Sequence, residues 1–339
     1  MFPQRILDAL IPAAQAHEKW FVPVSTVAYG QPEFYRTANV VTVGAAALVL
    51  ALAAVGYFVD RWYEKTALYA KMEAKIKPWR DYAAGVLAVT TGFTLLFVAW
   101  RGQLLATNYP LPAGLPGTIL RGIETFVGAC FMIGLFTPAA AVGLFLLFLA
   151  AFALQPFIEP WDYVNFVGIA IFLFVFARGR YSLDWFLGKP ITSTPHQRKW
   201  AYVALRVLTG ITILWLGLLK WRRPDLHLSL MDRFPNMNPF VLLGWSGLHI
   251  SRELYVFILF AVEATVGIFE IFGFLTRLTA VLLVPVFTAS IFFLGPKELV
   301  GHLPILGTLF VLFVYGDTYQ KDQAPDRYAR VQSEKEQRP

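Results

Sequence analysis

Residues 124–137 read ETFVGACFMIGLFT, and residues 263–276 read EATVGIFEIFGFLT. The positions that agree are Glu124, Val127, Gly128, Gly134 and Thr137, each repeated 139 residues later. Both stretches are apolar runs that carry a carboxylate, so both are predicted to be membrane spans with an ionisable group inside. Such a group is costly in lipid and marks a candidate functional site with a partner nearby.

The composition is that of a membrane protein. Of the 339 residues, 57% are hydrophobic and 15% are charged, whereas soluble chains carry about 25% charged residues. The net charge of +7 is attributed to topology and to contact with membrane lipid headgroups rather than to nucleic acid, because no basic, aromatic-interleaved soluble stretch is present. Cys130 is the only cysteine, which excludes an intrachain disulfide and a thiolate zinc site.

Uncharged stretches long enough to cross a bilayer (roughly 20 residues) recur along the chain. The run 125–158 is too long for one crossing, and Pro138 divides it because proline lacks the backbone donor that continues a helix. The predicted spans are 37–59, 82–100, 118–136, 138–155, 162–177, 201–219, 254–273, 277–294 and 299–316.

Two further matches indicate an internal duplication. Residues 87–96 resemble 205–214 at an offset of 118, and the last span of each half aligns at 137, with Asn165 opposite His302. The fold class expected is therefore an all-α integral membrane protein of about nine transmembrane helices, with two parallel four-helix-bundle repeats. The predicted regions are an N-terminal region 1–81 (interfacial tail, first span and basic cytoplasmic loop), a unit 82–187, a linker 188–200, a second unit 201–322 with a long outer loop 220–253, and a polar tail 323–339.

The distribution of Lys and Arg predicts the orientation. The loops that follow the odd-numbered spans hold more basic residues than the opposite loops, so we expect the amino terminus outside and the carboxyl terminus in the cytoplasm. The expected location is the cytoplasmic membrane of a bacterium or archaeon.

Glu124 and Glu263 are the candidate catalytic residues, joined by His302. At about 1.5 Å per residue both glutamates are expected 10–15 Å below the outer surface, where a carboxylate seeks a cation or a hydrogen-bond donor. Arg101 and Arg121 suit the first glutamate, and Lys220 and His302 suit the second. The functional interpretation is a polar pocket that exchanges protons with a quinone-like ligand; the alternative is a structural clamp between helices.

The loop 220–253 supplies most of the other candidates. Arg222 and Arg223 could bind a carbonyl, a sulfur oxyanion or the acidic face of a protein partner, and the alternative is contact with lipid headgroups. Residues expected to bind substrate or quinone are Lys220, Arg222, Arg223, Trp221, Arg101, Arg121, His249 and Asn165. Glu270, which has no counterpart in the first unit, is interpreted as a packing or pore-facing acid rather than a catalytic one.

No haem or metal is expected. A b-type haem needs two histidines that face each other from helices, and of the five histidines only His302 falls convincingly in a span. No spacing of His, Asp and Glu is typical of a metal site.

The motif Glu-x-x-x-Gly-x5-Gly-[Leu/Phe]-[Phe/Leu]-Thr, followed by a helix that ends in Ala-Arg-Gly-Arg-Tyr-Ser-Leu-Asp184, resembles the DoxX/DoxD-like family of four-helix membrane proteins. The resemblance covers 82–187 and 201–322; typical members have one such unit. It implies a membrane subunit of a quinone-reducing system, as in thiosulfate:quinone oxidoreductase, or of a membrane oxidoreductase complex with a soluble protein partner.

Two other functions remain open at this stage. One is a non-catalytic anchor or scaffold, with the segment 60–81 or the loop 220–253 docking a soluble enzyme. The other is a proton-coupled transporter, which buried acids in parallel repeats would suit, although the spans lack paired Gly or Pro breaks at mid-membrane.

Overall fold

The computed structural model describes residues 38–107, 109–155, 159–179, 181–188, 193–234, 237, 251–294 and 296–316. Within these ranges the chain is built from helices. The helices of the first half are α1 Ala38–Tyr63, α2 Ala67–Ile76, α3 Arg80–Trp100, α4 Leu115–Ile133, α5 Thr137–Leu154 and α6 Asn165–Phe176. The helices of the second half are α7 Leu183–Phe186, α8 Pro195–Arg222, α9 Pro224–Arg233, α10 Arg252–Phe272, α11 Thr276–Leu294 and α12 Pro296–Tyr315.

Five helical segments in the described ranges are long and apolar enough to cross a membrane. They are Val43–Tyr63, Ala67–Trp100, Thr137–Leu154, Pro195–Arg222 and Arg252–Phe272. Large apolar side chains stay exposed on them, including Leu50, Phe58 and Leu146. Helices satisfy their own backbone hydrogen bonds, so lipid can cover such surfaces. The chain is therefore an all-helical integral membrane protein whose outer surface suits lipid contact.

The two copies of the repeated sequence form the same turn. Gly134 ends α4 with φ 69°, and Gly273 ends α10 with φ 79°, both in the left-handed region. Two residues later Phe136 and Leu275 also have positive φ, at 51° and 49°. Few residues other than glycine adopt this conformation. The resemblance in sequence at these turns is thus a resemblance in backbone shape.

Glycines bring the helices before each turn into backbone contact. A Cβ atom added to Gly92 of α3 would lie 2.8 Å from the carbonyl oxygen of Gly128 in α4. A Cβ atom added to Gly210 of α8 would lie 2.7 Å from the carbonyl oxygen of Gly267 in α10. Small residues at such crossings allow the close packing that holds helices together in lipid.

Glycines also let helices of the two halves pack closely against each other. A Cβ atom added to Gly168 of α6 would lie 3.0 Å from the Cα atom of Leu205 in α8. A Cβ atom added to Gly307 of α12 would lie 3.2 Å from the Cα atom of Leu87 in α3. The last long helix of each half therefore packs against the first long helix of the other half.

Threonine hydrogen bonds reinforce these two crossings. The Oγ1 atom of Thr94 donates to the carbonyl oxygen of Val300 at 2.8 Å. The Oγ1 atom of Thr212 accepts from the backbone N–H of Asn165 at 3.1 Å. Thr94 and Thr212 are 118 residues apart and therefore occupy matched positions of the repeat. Each threonine makes the hydrogen bond at one of the two crossings.

Candidate functional site

Lys220 and Glu263 form a buried ion pair between α8 and α10. The Nζ atom of Lys220 lies 2.9 Å from the Oε2 atom of Glu263, and the two side chains are 9% and 18% exposed. A Cβ atom added to Gly217 would lie 3.1 Å from the Cβ atom of Glu263. The glycine therefore leaves room for the glutamate side chain and brings α8 within reach of it. Lys220 is buried and Glu263 is mostly shielded, so either charge alone would be costly there.

Trp221 follows Lys220 on α8 and packs against α10. Its ring centroid lies 5.0 Å from that of Phe260 and 6.0 Å from that of Phe257, both on α10. Arg222 is half-buried and is the last residue of α8. Trp221 and Arg222 thus directly follow Lys220 along the chain at the end of α8.

Arg223 is paired within the chain. Its guanidinium donates to both carboxylate oxygens of Asp225, with the Nε atom 2.9 Å from Oδ1 and the Nη2 atom 2.7 Å from Oδ2. These hydrogen bonds raise the pKa of Arg223, while partial burial opposes the rise. Asp225 itself is buried in the first turn of α9. The positive charge of Arg223 is therefore balanced by the carboxylate of Asp225.

Glu124 has a different partner. Its side chain is fully buried, and its Oε1 atom accepts a hydrogen bond from the backbone N–H of Leu105 at 2.6 Å. Leu105 has a φ of 59°, and the backbone N–H of Leu104 donates to the carbonyl oxygen of Tyr109 at 2.7 Å. Glu124 therefore holds the folded segment between α3 and α4 against the bundle.

The two arginines predicted for Glu124 are exposed. Arg101 follows the last residue of α3, and the Nη2 atom of Arg121 donates to the carbonyl oxygen of Trp100 at 3.1 Å. The donor that meets Glu124 is a backbone amide. Sequence reasoning missed it, since a main-chain N–H at Leu105 leaves no mark in the residue pattern.

The other predicted site residues have contacts elsewhere in the structure. The Nδ1 atom of His302 lies 3.2 Å from the carbonyl oxygen of Phe287, and the two rings meet edge to face. Asn165 is buried at the start of α6, where its N–H meets α8 as described above. His249 lies outside the described residues. Of the predicted set, the structure joins Lys220 to Glu263, with Trp221 adjacent.

Glu270 lies seven residues after Glu263 on α10 and is fully buried. Its Oε1 atom accepts a hydrogen bond from the hydroxyl of Thr279 on α11. This contact ties α10 to α11 and agrees with the packing role predicted for Glu270.

A cluster that sequence reasoning missed lies at the end of the bundle that carries the Gly134 and Gly273 turns, here called the turn face. Glu73 of α2 contacts Arg80, with Nη2 2.5 Å from Oε1, and also contacts Arg277 of α11. The Nε atom of Arg277 donates to the carbonyl oxygen of Phe313 at 3.0 Å. The predicted loop 60–81 thus contains a helix whose acid bridges two arginines. Glu73 and Arg277 are distant in sequence, so periodicity gives no sign of the contact.

Two aspartates hold the turns of the turn face. The Oδ2 atom of Asp184 accepts from the backbone N–H of Thr137 at 3.1 Å, at the start of α5. The Oδ1 atom of Asp60 accepts from the backbone N–H of Leu275 at 2.9 Å, just before α11. Asp184 comes from the end of the first unit, whereas Asp60 comes from α1, outside both predicted units.

In the part of the chain that the structure describes, no group of three or more His, Cys, Asp or Glu side chains has the arrangement of a metal site. Comparisons of the chain with protein-family models, with curated proteins and with solved structures each gave no match.

Proposed function

We propose that the chain is a DoxX/DoxD-like integral membrane subunit of a quinone-linked oxidoreductase system, with its proton-exchanging pocket at Lys220 and Glu263. The observation that carries the proposal is the ion pair between these two residues, buried between two apolar helices. Reduction of a quinone to a quinol consumes two electrons and two protons. A carboxylate and an amine that neutralise each other can pass a proton to a bound ligand by ordinary acid–base catalysis.

The proposal assigns different tasks to the residues around the pair. Trp221 would stack on or enclose the quinone ring, and Arg222 would support its carbonyl groups. Electrons would come from a soluble protein partner or from a small donor such as thiosulfate. Glu124, with Arg101 and Arg121 at the surface nearby, would serve the first unit as a structural clamp.

The proposed architecture is two four-helix units, 82–187 and 201–322, related by duplication, with one additional span at the amino terminus. Support comes from the matched turns at Gly134 and Gly273 and the matched crossings at Gly92 and Gly210. The described helices overlap all nine predicted spans. We further propose that the amino terminus is outside and the carboxyl terminus is in the cytoplasm of a bacterial or archaeal cell.

The test is quinone reduction by native membranes that contain the chain and its partners, with thiosulfate as the first donor tried. The double variant Lys220→Met with Glu263→Gln removes both charges and keeps the pocket neutral, so the fold should persist. Turnover should fall at least about 100-fold, the usual contribution of a general acid or base. The matched control is Glu124→Gln, for which we expect turnover near that of the parent.

Normal turnover by a correctly folded double variant would overturn the pocket assignment. Affinity purification in mild detergent, with mass spectrometry of proteins and extracted lipids, tests the rest of the proposal. A co-purified oxidoreductase or a bound quinone is expected. A partner that is recruited equally by all variants, with equal turnover, would favour the membrane-anchor function instead.

A further inference from the structure

We infer that the exposed face of α4 is a contact surface between two copies of this chain in the membrane. The residues of this face, here called the α4 stripe, are Thr118, Gly122, Thr125 and Ala129. The inference rests on the proposed duplication of the two units and does not depend on the redox assignment.

The first step is the equivalent face of α10, which is covered. Residues 139 positions after the α4 stripe are Phe257, Ala261, Ala264 and Ile268. Ala261 and Ala264 are buried against Ala45 and Val49 of α1, and Phe257 and Ile268 pack on the same cluster. The second unit therefore carries a transmembrane helix seated on this face.

The second step is that, among the residues the structure describes, no helix covers this face of α4. Thr118, Gly122 and Thr125 are exposed, and a Cβ atom added to Gly122 would meet no atom within 4 Å. The opposite face of α4 is used within the chain, since Glu124, Val127 and Gly128 are buried. In the described part of the chain, the α4 stripe is thus the face of the first unit that corresponds to the α1-covered face of the second unit and carries no helix.

The third step is the choice of occupant. The helix α1 of the same chain is already seated on α10, so it is not free to cover α4. The α4 stripe has spacings of four, three and four residues, which place small side chains along one helix face. Small residues allow two helices to approach closely in lipid. A two-fold axis along the membrane normal would bring the stripe of one copy against the same stripe of another.

The nearby charge does not obstruct this contact. Arg121, the one basic residue of α4, donates to the carbonyl oxygen of Trp100 and is thereby directed toward the end of α3. Ile123 and Phe126 are exposed beside the stripe and offer apolar flanks. The occupant that fits is a parallel, symmetric copy of α4.

The test is disulfide cross-linking in native membranes, in a background where Cys130, the only cysteine, is replaced by serine. Thr125→Cys places a thiol on the stripe. Leu146→Cys places one on the lipid-facing side of α5, at a similar depth, because Gly143 of α5 lies against Val127 of α4. We expect more linked dimer for Thr125→Cys than for Leu146→Cys, because small residues let two helices approach closely.

A second pair of variants addresses the packing. Gly122→Leu should convert the dimer to a monomer in native mass spectrometry, whereas Gly44→Leu, at an open glycine on α1, should leave the dimer intact. A monomeric parent, equal cross-linking at both cysteines, or linkage of Thr125→Cys to a different protein would overturn the inference. Because the readout is mass rather than turnover, failure here is distinct from failure of the proposed redox function.

Discussion

Glu124 and Glu263 occupy matched positions in matched sequences, and they have different partners. Glu124 accepts a hydrogen bond from a backbone amide of a folded loop, whereas Glu263 meets the ammonium group of Lys220. The position 118 residues before Lys220 is Gly102, which offers no charge. A carboxyl group at this position of the bundle therefore serves as a clamp where the matched residue is Gly102, and as half of an ion pair where it is Lys220.

The largest effect is expected when the second unit loses its cation. Lys220→Met leaves the Glu263 carboxylate buried without its partner, which should lower the free energy of unfolding by about 3–5 kcal/mol. Thermal unfolding in detergent, followed by tryptophan fluorescence, measures this loss. Adding Glu263→Gln to Lys220→Met should restore most of it. A single Lys220→Met variant as stable as the parent would show that the pair is solvated.

The glycine crossings should be equally sensitive in the two units. Gly92→Ala and Gly210→Ala each place a methyl group against a backbone carbonyl, and overpacking of this kind costs about 1–3 kcal/mol. The same unfolding assay applies. Gly44→Ala, where space is open, is the control and should change little. A large loss at one crossing and none at the other would contradict the matched packing of the two units.

Asp184 and Asp60 of the turn face each bind one of the two turns, so substituting them tests the turns one at a time. Removing a side chain that caps the first N–H groups of a helix costs about 1 kcal/mol. Asp184→Ala should therefore speed hydrogen exchange at residues 134–137 only, and Asp60→Ala should speed it at 273–276 only. Each variant is the control for the other, and exchange that rises at both turns in either variant would show that the two turns are coupled.

The smallest effect is expected at Glu124. Glu124→Gln keeps an oxygen that can accept from the N–H of Leu105, so the loss in unfolding free energy should stay below about 1 kcal/mol. Glu124→Ala removes that acceptor and should cost more. If Glu124→Gln destabilised the protein as strongly as Lys220→Met, the first glutamate would also be held as a buried charge, and the contrast between the two units would fail.

Much of the fold follows from the sequence because the length of an apolar run and the positions of the charges that bound it are local properties of the chain. The turn at Gly134 and Thr137 was predictable, since a glycine and a proline end and restart helices through their own backbones. Of the two partners predicted for Glu263, the structure shows Lys220, the cation at the end of the neighbouring span, whereas His302 contacts Phe287.

The rest depends on contacts that local patterns do not encode. The partner of Glu124 is a main-chain N–H in a residue with positive φ. Glu73 forms an ion pair with Arg277, which lies 204 residues later in the sequence. The pattern of the charged segment 60–81 did not predict this contact. Backbone donors and distant ion pairs depend on how helices are arranged, which periodicity does not fix.

The contact between Asp60 and Leu275 has a consequence for the order of assembly. The two residues are 215 positions apart, and ribosomes add about 5–20 residues per second. The carboxylate at the end of α1 is therefore synthesised on the order of 10–40 seconds before the amide that it binds. α1 therefore reaches its final position only after α10 and the turn before α11 have been synthesised, long after α1 itself.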